Sequence, residues 1–186
     1  MPNWLLKNPE CVLIHIPKTG DSTIKRSIWN SRLDGPEYRA LPAAWEPYFK
    51  FAFVRHPLDR LVSAWADFTQ LRKFKGTVDD FVGIVVDQSI GFDERRKTAA
   101  ESIRHHTIPQ THPFNCLDRA EYVGRYENYV EDLNYVLERV GMTVTTYSAV
   151  RKTEHNGWRP VLSGETLTKA IAYYEHDFET LGYSRP

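Results

Sequence analysis

The chain has 186 residues, 41% of them hydrophobic and 13% aromatic, which is the size and composition of one ordinary domain with a real core. Its 24 basic and 24 acidic residues cancel to a formal net charge of zero, which argues against a nonspecific nucleic-acid binder. Two cysteines make no disulfide framework, no apolar run reaches the roughly 18 residues that span a bilayer, and the start MPNWLLKNPE has no secretory h-region.

The strongest local signal lies at residues 11–29, CVLIHIPKTGDSTIKRSIW. Cys11 opens it and reads as a small core residue. The apolar run Val12, Leu13, Ile14, Ile16 predicts a strand over 11–16, stopped by Pro17, and helical spacing predicts a helix over 22–32. Between them lie Lys18, Thr19, Gly20, Asp21, Ser22 and Thr23. A strand that breaks into a small, hydroxyl-rich turn and opens a helix suits an anion, because the first helical turn has spare N–H groups and the positive end of the dipole. Thr19, Ser22 and Thr23 add hydroxyl donors and Lys18 adds a full charge, so the expected ligand group is a phosphate or a sulfate. The Walker A order, with Lys after the second Gly, is absent, as is GxGxxG. A plain strand-to-helix turn with a surface lysine would give the same letters.

Residues 33–47 hold Gly35, Pro36, Pro42 and Pro47 and predict mostly loop. A second strand is predicted over 49–54, FKFAFV, where Phe49, Phe51 and Phe53 alternate with Lys50, Ala52 and Val54. Arg55 leaves its end, and Pro57 suits the first turn of a helix whose core face is Leu58, Leu61, Val62, Trp65 and Phe68. Ser63 stands eight residues after Arg55, about two turns into that helix. A guanidinium can grip a phosphate with a forked pair of hydrogen bonds where Lys acts as a point charge. A salt bridge from Arg55 to Asp59 and a helix-surface Ser63 form the structural alternative. Two cationic sites at strand ends point to one ligand with two anionic ends.

Further on, a helix is predicted over 78–88 with Thr77 as its cap. Residues 89–118 mix a partly helical GFDERRKTAAESIRHH with a loop-like TIPQTHPFNCLD. A short strand follows at 121–125, then a helix on Tyr129, Leu133, Val136 and Val140 closed by Gly141, then a strand at 142–147. Leu167, Ile171, Tyr174, Phe178 and Leu181 carry helical spacing after a cap at Ser163. Strands alternating with helices predict a parallel sheet with helices on both faces, with ligands beyond the C-terminal strand ends, where Lys18 and Arg55 fall. The basic residues cluster locally (Lys18, Lys25, Arg26; Arg55, Arg60; Arg95, Arg96, Lys97; Arg151, Lys152), which suits a compact anion, while Arg72, Lys73 and Lys75 read as a solvated face.

IHIPKTGDST resembles the 5′-phosphosulfate loop of sulfotransferases, and FVRHPLDRLVSAW resembles their 3′-phosphate segment, in which an Arg and a Ser eight residues later hold the 3′-phosphate. HTIPQ at 106–110 is similar to the HWxPQ element of the carbohydrate sulfotransferases (the sulfotransferase family 2 group), DRAEYVGRYENYVEDLNYVLERVG to their D-x-I-G-K-x-E-x-L-x-x-D segment, and YYEHDFETLGY to their closing Y-x-x-D-F-x-x-x-G-Y. The matches keep their order from residue 12 to 183. The resemblance implies a P-loop-like three-layer α/β fold with a central mainly parallel sheet, a single domain over 1–186, and the donor 3′-phosphoadenosine-5′-phosphosulfate (PAPS). It implies Pro17, Lys18, Thr19, Gly20, Asp21, Ser22 and Thr23 at the 5′-phosphosulfate, with Lys18 on the leaving group, and Arg55 and Ser63 at the 3′-phosphate. The product is adenosine 3′,5′-bisphosphate and the acceptor a hydroxyl, on a saccharide by the carbohydrate-like segments.

A general base has to take the hydroxyl proton. His106, at the HWxPQ position, is the first candidate, then His112, with His105 and Glu127 as further options; His15 and His56 read as supporting residues. Arg151 and Lys152 are candidates for reaching the nucleotide. No ligand set demands a metal. Two departures stand out. The second glycine of the family's loop is Asp21 here, a carboxylate that repels phosphate unless it turns away or caps the helix. The chain also lacks the stem and membrane anchor of Golgi members, so the expectation is a soluble, cytoplasmic relative of bacterial or phage type. Two rivals remain: a P-loop-type small-molecule kinase, which wants a Lys after the Gly and a magnesium-binding Asp, and a noncatalytic nucleotide- or sulfated-glycan-binding module, which needs no base.

Overall fold

The computed structural model describes residues 3–30, 33–37, 41–92, 97–143 and 156–186. In chain order the described elements are β1 (Asn3–Leu6), β2 (Cys11–Ile14), α1 (Asp21–Thr23, continued by a π-turn Ile24–Ile28), β3 (Leu33–Glu37), β4 (Lys50–Val54), α2 (Pro57–Gln70), α3 (Val78–Val86), α4 (Ala99–Thr107), β5 (Tyr122–Arg125), α5 (Tyr129–Arg139), α6 (Gly164–Tyr173) and α7 (Glu175–Leu181), with short 3-10 turns between them. They fall into two compact units. One holds Met1–Arg55 and His112–Lys152, the other His56–Thr111 and Thr153–Pro186.

The first unit is built on a five-stranded sheet of order β3-β1-β2-β4-β5. β2, β4 and β5 run parallel, with Leu13 opposite Phe51 and Phe53 opposite Gly124, while β1 pairs antiparallel with both β2 and β3. Successive side chains of a strand alternate between faces, and both faces here are buried. Leu13, Phe51 and Phe53 pack with Ile24, Ile28 and Trp29 of α1 and with Leu133, Val136 and Leu137 of α5. Val12, Ile14 and Ala52 pack on the other side with Leu5 and Trp45. Each large apolar side chain so buried contributes roughly 1.5–3 kcal/mol, so this double-faced core is what holds the strand ends in register.

Three features of this unit differ from the sequence expectation. The N-terminal residues form β1, a strand too short to show a period. Within the predicted loop 33–47, Leu33–Glu37 forms a strand with Pro36 opposite Trp4. Proline is tolerated there because β3 lies at the sheet edge. The helix expected to 32 ends near 29, since the Trp29 N–H reaches back five residues to the Ile24 carbonyl (3.0 Å) and Asn30 turns left-handed at φ 48°. The strand expected at 142–147 lies outside the described residues from 144 onward, as do Arg95, Arg96, Arg151 and Lys152.

The second unit is helical, and its core joins Leu58, Leu61, Val62 and Phe68 of α2 to Phe81, Val82 and Val85 of α3, Ile103 of α4, Tyr174 and Phe178. Thr77 caps α3 as expected, accepting the Asp80 N–H (3.1 Å) while the Asp80 carboxylate accepts the Thr77 N–H (2.8 Å). Thr98 and Glu101 repeat the device on α4. The C-terminal helical spacing divides at Tyr174 into α6 and α7, and Ser163 precedes α6 without a side-chain cap bond. Buried Asp177 accepts the backbone N–H groups of Gln110 (2.8 Å) and Thr111 (2.9 Å), and the Tyr174 hydroxyl donates to the Thr107 carbonyl (2.6 Å). The Arg60 guanidinium donates to the Ile108 carbonyl. Three side chains therefore pin the 107–111 backbone from within this unit.

Candidate functional site

At the C-terminal end of β2 the chain runs through buried His15, Ile16 and Pro17 into the loop. Lys18 takes a left-handed conformation at φ 72° and Gly20 one at φ 94°. A non-glycine residue there is strained, and such strain persists only where the surroundings impose it. The surroundings are visible. The Thr19 hydroxyl donates to the Ile16 carbonyl (2.8 Å), Arg55 Nη1 to the Lys18 carbonyl (3.4 Å), and the Tyr129 hydroxyl to the Gly20 carbonyl (2.8 Å), which also accepts the Thr23 N–H (3.0 Å). The carbonyls of 16, 18 and 20, which would repel an anion, are each engaged by a donor of the same unit. Thr19 thereby commits its hydroxyl proton internally, and what it retains for an anion is its backbone N–H rather than the expected hydroxyl.

Gly20 is required twice over. Its φ favours glycine, and a Cβ there would sit 2.4 Å from Tyr129 Cε2. Gly20→Ala is therefore expected to cost about 2 kcal/mol and lower Tm by roughly 4–8 °C, with weaker anion binding alongside. Differential scanning fluorimetry with and without adenosine 3′,5′-bisphosphate reads both effects.

Asp21 does not cap α1: Gly20 occupies the cap position and no side-chain cap bond forms. Its Oδ2 instead accepts from His15 Nε2 (2.8 Å) and from Lys25 Nζ (2.9 Å). Burial alone would raise the Asp21 pKa, but His15 and Lys25 outweigh it and hold the carboxyl well below the usual range. Burial pulls the His15 pKa down against the attraction of Asp21, so His15 is the neutral member. The Asp21–Lys25 spacing of four was a legible signal for this pair; the His15 contact came from the sheet.

Arg55 follows β4, the parallel neighbour of β2. Besides its bond to the Lys18 carbonyl, its Cζ lies 4.1 Å from the centroid of the Tyr126 ring. Asp59, the alternative partner for Arg55, accepts the Trp158 N–H (3.0 Å). Tyr126 and Tyr129 were missed as site residues; Tyr129 read only as a helix-face position. Ser63 lies in the second unit, buried on α2.

Each histidine considered for the site is engaged. His106, in the second unit, bonds Ser102 O through Nδ1 (2.7 Å), and its Nε2 meets Arg72 Nη2 (3.1 Å). The carbonyl and the guanidinium together place the proton on Nδ1 and the lone pair toward Arg72. Arg72 also pairs with Asp67 (2.8 Å) and lies over Phe68, while it remains exposed, as expected, together with Lys73 and Lys75. In the first unit, His112 Nδ1 accepts the Phe114 N–H (3.1 Å). His105 is fully buried against the Phe92 carbonyl (2.5 Å). The His56 ring stacks on Trp158 (6.2 Å, 3°) and meets Phe178 and Tyr183 edge-on. Glu127 is exposed in the turn before α5. Among the described residues no group of three or more His, Cys, Asp or Glu is placed to hold a metal ion, and no helix is long and apolar enough to cross a membrane.

Comparison with known proteins bears on these features. The description "Sulfotransferase family" matches residues 7–184. Carbohydrate sulfotransferase 14 of Danio rerio is 26% identical over 168 residues, covering 75% of this chain and 45% of its own length. Carbohydrate sulfotransferase 11 of Mus musculus is 28% identical over 175 residues, covering 75% of this chain and 48% of its own. The chain thus spans about half the length of the curated relatives it matches. No solved structure matches it significantly.

Proposed function

Because the chain belongs to the sulfotransferase family, we propose that it moves a sulfuryl group from PAPS to an acceptor hydroxyl on a carbohydrate, by in-line displacement, within a P-loop-like three-layer fold. The observation that carries this reading is the pair of cations at the ends of two adjacent parallel strands, Lys18 after β2 and Arg55 after β4, joined through the Lys18 carbonyl (3.4 Å). Two cations at neighbouring strand ends suit a ligand with anions at two ends, and PAPS is one. The saccharide acceptor rests on what the relatives' names say of those proteins.

PAPS supplies the sulfuryl group: the acceptor oxygen bonds to sulfur as the bond between sulfur and the 5′-phosphate oxygen breaks. The roles of the chain follow from charge. Lys18 stabilises the negative charge that gathers on the leaving oxygen, the step at which preorganised cations count most. The N–H groups of the 17–23 loop, with Ser22 and Thr23, hold the 5′-phosphate, helped by the internal engagement of the loop carbonyls. Arg55 takes the 3′-phosphate, and Ser63 keeps the role that the resemblance implies. The acceptor proton passes to a histidine, His106 or His112. His106 has to give up its bond from the Arg72 guanidinium to receive it and His112 its bond from the Phe114 N–H, so each gives up an accepted hydrogen bond for a charge.

Those engaged histidines are also the one observation that favours a noncatalytic binding module. Transfer of label from radiolabelled PAPS to a panel of glycans separates the two. Labelled glycan is the expected result; tight binding of adenosine 3′,5′-bisphosphate with no label on any acceptor would replace the enzyme reading with the binding module.

A further inference from the structure

Asp21 puts a full negative charge inside a loop otherwise built for anions. Its carboxylate is not idle. A single oxygen, Oδ2, takes both the His15 Nε2–H (2.8 Å) and the Lys25 ammonium (2.9 Å). The three side chains are nearly enclosed, 2% exposed for His15, 13% for Asp21 and 16% for Lys25, so the interaction is little screened by solvent. The Lys25 ammonium also lies 5.2 Å from the centroid of the Trp4 ring, on β1, which gives it a second reason to stay where it is. His15 is anchored from behind, its backbone N–H donating to Asn3 Oδ1 (3.1 Å). Among the described residues its Nδ1 is buried with no hydrogen-bond partner, which fits a neutral ring that gives its only proton to Asp21.

The charges can therefore be counted. His15 contributes none, Asp21 one negative and Lys25 one positive, so the group is neutral. A lysine one turn beyond an anion loop would ordinarily add to its pull. Here that charge is cancelled on the spot by the Asp21 carboxylate (2.9 Å). We propose that Asp21 is an affinity-setting residue: it quenches Lys25 and weakens the hold of the 17–23 loop on its anion, so that a spent nucleotide can leave. The proposal rests on the loop binding the 5′-phosphate of a nucleotide, as proposed above.

The consequence is a sign that a purely structural role does not produce. Replacing Asp21 by a neutral residue of similar shape uncovers the Lys25 charge. One additional charge several ångströms from the ligand, at the effective dielectric of a protein surface, corresponds to roughly a 3- to 10-fold change in affinity. Asp21→Asn is expected to bind adenosine 3′,5′-bisphosphate about 3- to 10-fold more tightly than wild type by isothermal titration calorimetry, and to show a steeper fall of affinity with salt. Asp21→Gly, which restores the glycine of the resembled loop, serves as the second variant. A carboxylate that only ties His15 to α1 predicts the opposite, weaker binding with a lower Tm.

Pyrophosphate is titrated in parallel. If wild type binds pyrophosphate but not the nucleotide, the donor reading falls and the Asp21 inference is still decided by the pyrophosphate data. Equal or weaker anion binding by the folded variants would overturn the inference, and so would failure of both variants to fold, since the group would then be structural.

Discussion

Lys18→Ala is expected to lower the rate of sulfuryl transfer by about 100- to 1000-fold, the scale on which loss of one charge-stabilising group acts in a transition state. The argument has two parts. Lys18 is the cation that the loop itself presents, at the strand end where ligands of parallel sheets bind. It also holds a left-handed conformation, φ 72°, that its side chain does not favour. A residue kept in such a conformation for the fold alone would be better served by glycine. Lys18→Gly is therefore expected to lower transfer to the same extent while leaving Tm unchanged or slightly raised, since the relief of strain offsets the entropy of the unfolded glycine. Steady-state transfer assays and thermal melts on the two variants read activity and stability separately. Wild-type turnover in Lys18→Ala would remove Lys18 from the chemistry.

The second large effect concerns the other strand end. Arg55→Ala is expected to weaken binding of adenosine 3′,5′-bisphosphate by about 10- to 100-fold, the roughly 1.5–3 kcal/mol of a hydrogen bond to a charged group. The guanidinium is held by the Tyr126 face at 4.1 Å and by the Lys18 carbonyl at 3.4 Å. Both contacts cut the freedom it loses on gripping a phosphate. Arg55→Lys keeps the charge but loses the planar fork and the stacking, and should recover only part of the affinity. The contrast with 5′-AMP, which has no 3′-phosphate, makes the assignment specific: its affinity should fall far less in Arg55→Ala. An equal loss for both nucleotides would place Arg55 elsewhere on the ligand.

What could be read ahead of the structure divides along a physical line. The run Val12 to Ile16 and the apolar stretch with Phe49, Phe51 and Phe53 announced β2 and β4, because burial on both faces demands a near-continuous run of apolar residues, which sequence carries. Thr77 announced the start of α3, because capping is settled within four residues. β1 and β3 were not legible, since four or five residues pair only because a neighbour offers an edge, β2 to β1 and β1 to β3. Proline in β3 even argued against a strand until its edge position was known.

The candidate site divides in the same way. The sequence by itself marked Lys18, Gly20 and Arg55 as candidates for an anion-binding surface, through residue types and local order: a cation and a glycine in a strand-to-helix turn, and an arginine leaving a strand. What only the tertiary structure decided is what each of them touches. The Lys18 and Gly20 carbonyls are engaged by Arg55, 37 residues away from Lys18, and by Tyr129, 109 away from Gly20. Asp21, a liability on sequence grounds, is held by His15 across the turn. His106 proved to be bound to Arg72, 34 residues distant. Local propensity acts over a few residues and leaves its mark in their order. Hydrogen bonds between distant segments and the state of a buried charge depend on which elements the core brings together, and no short stretch of chain records that.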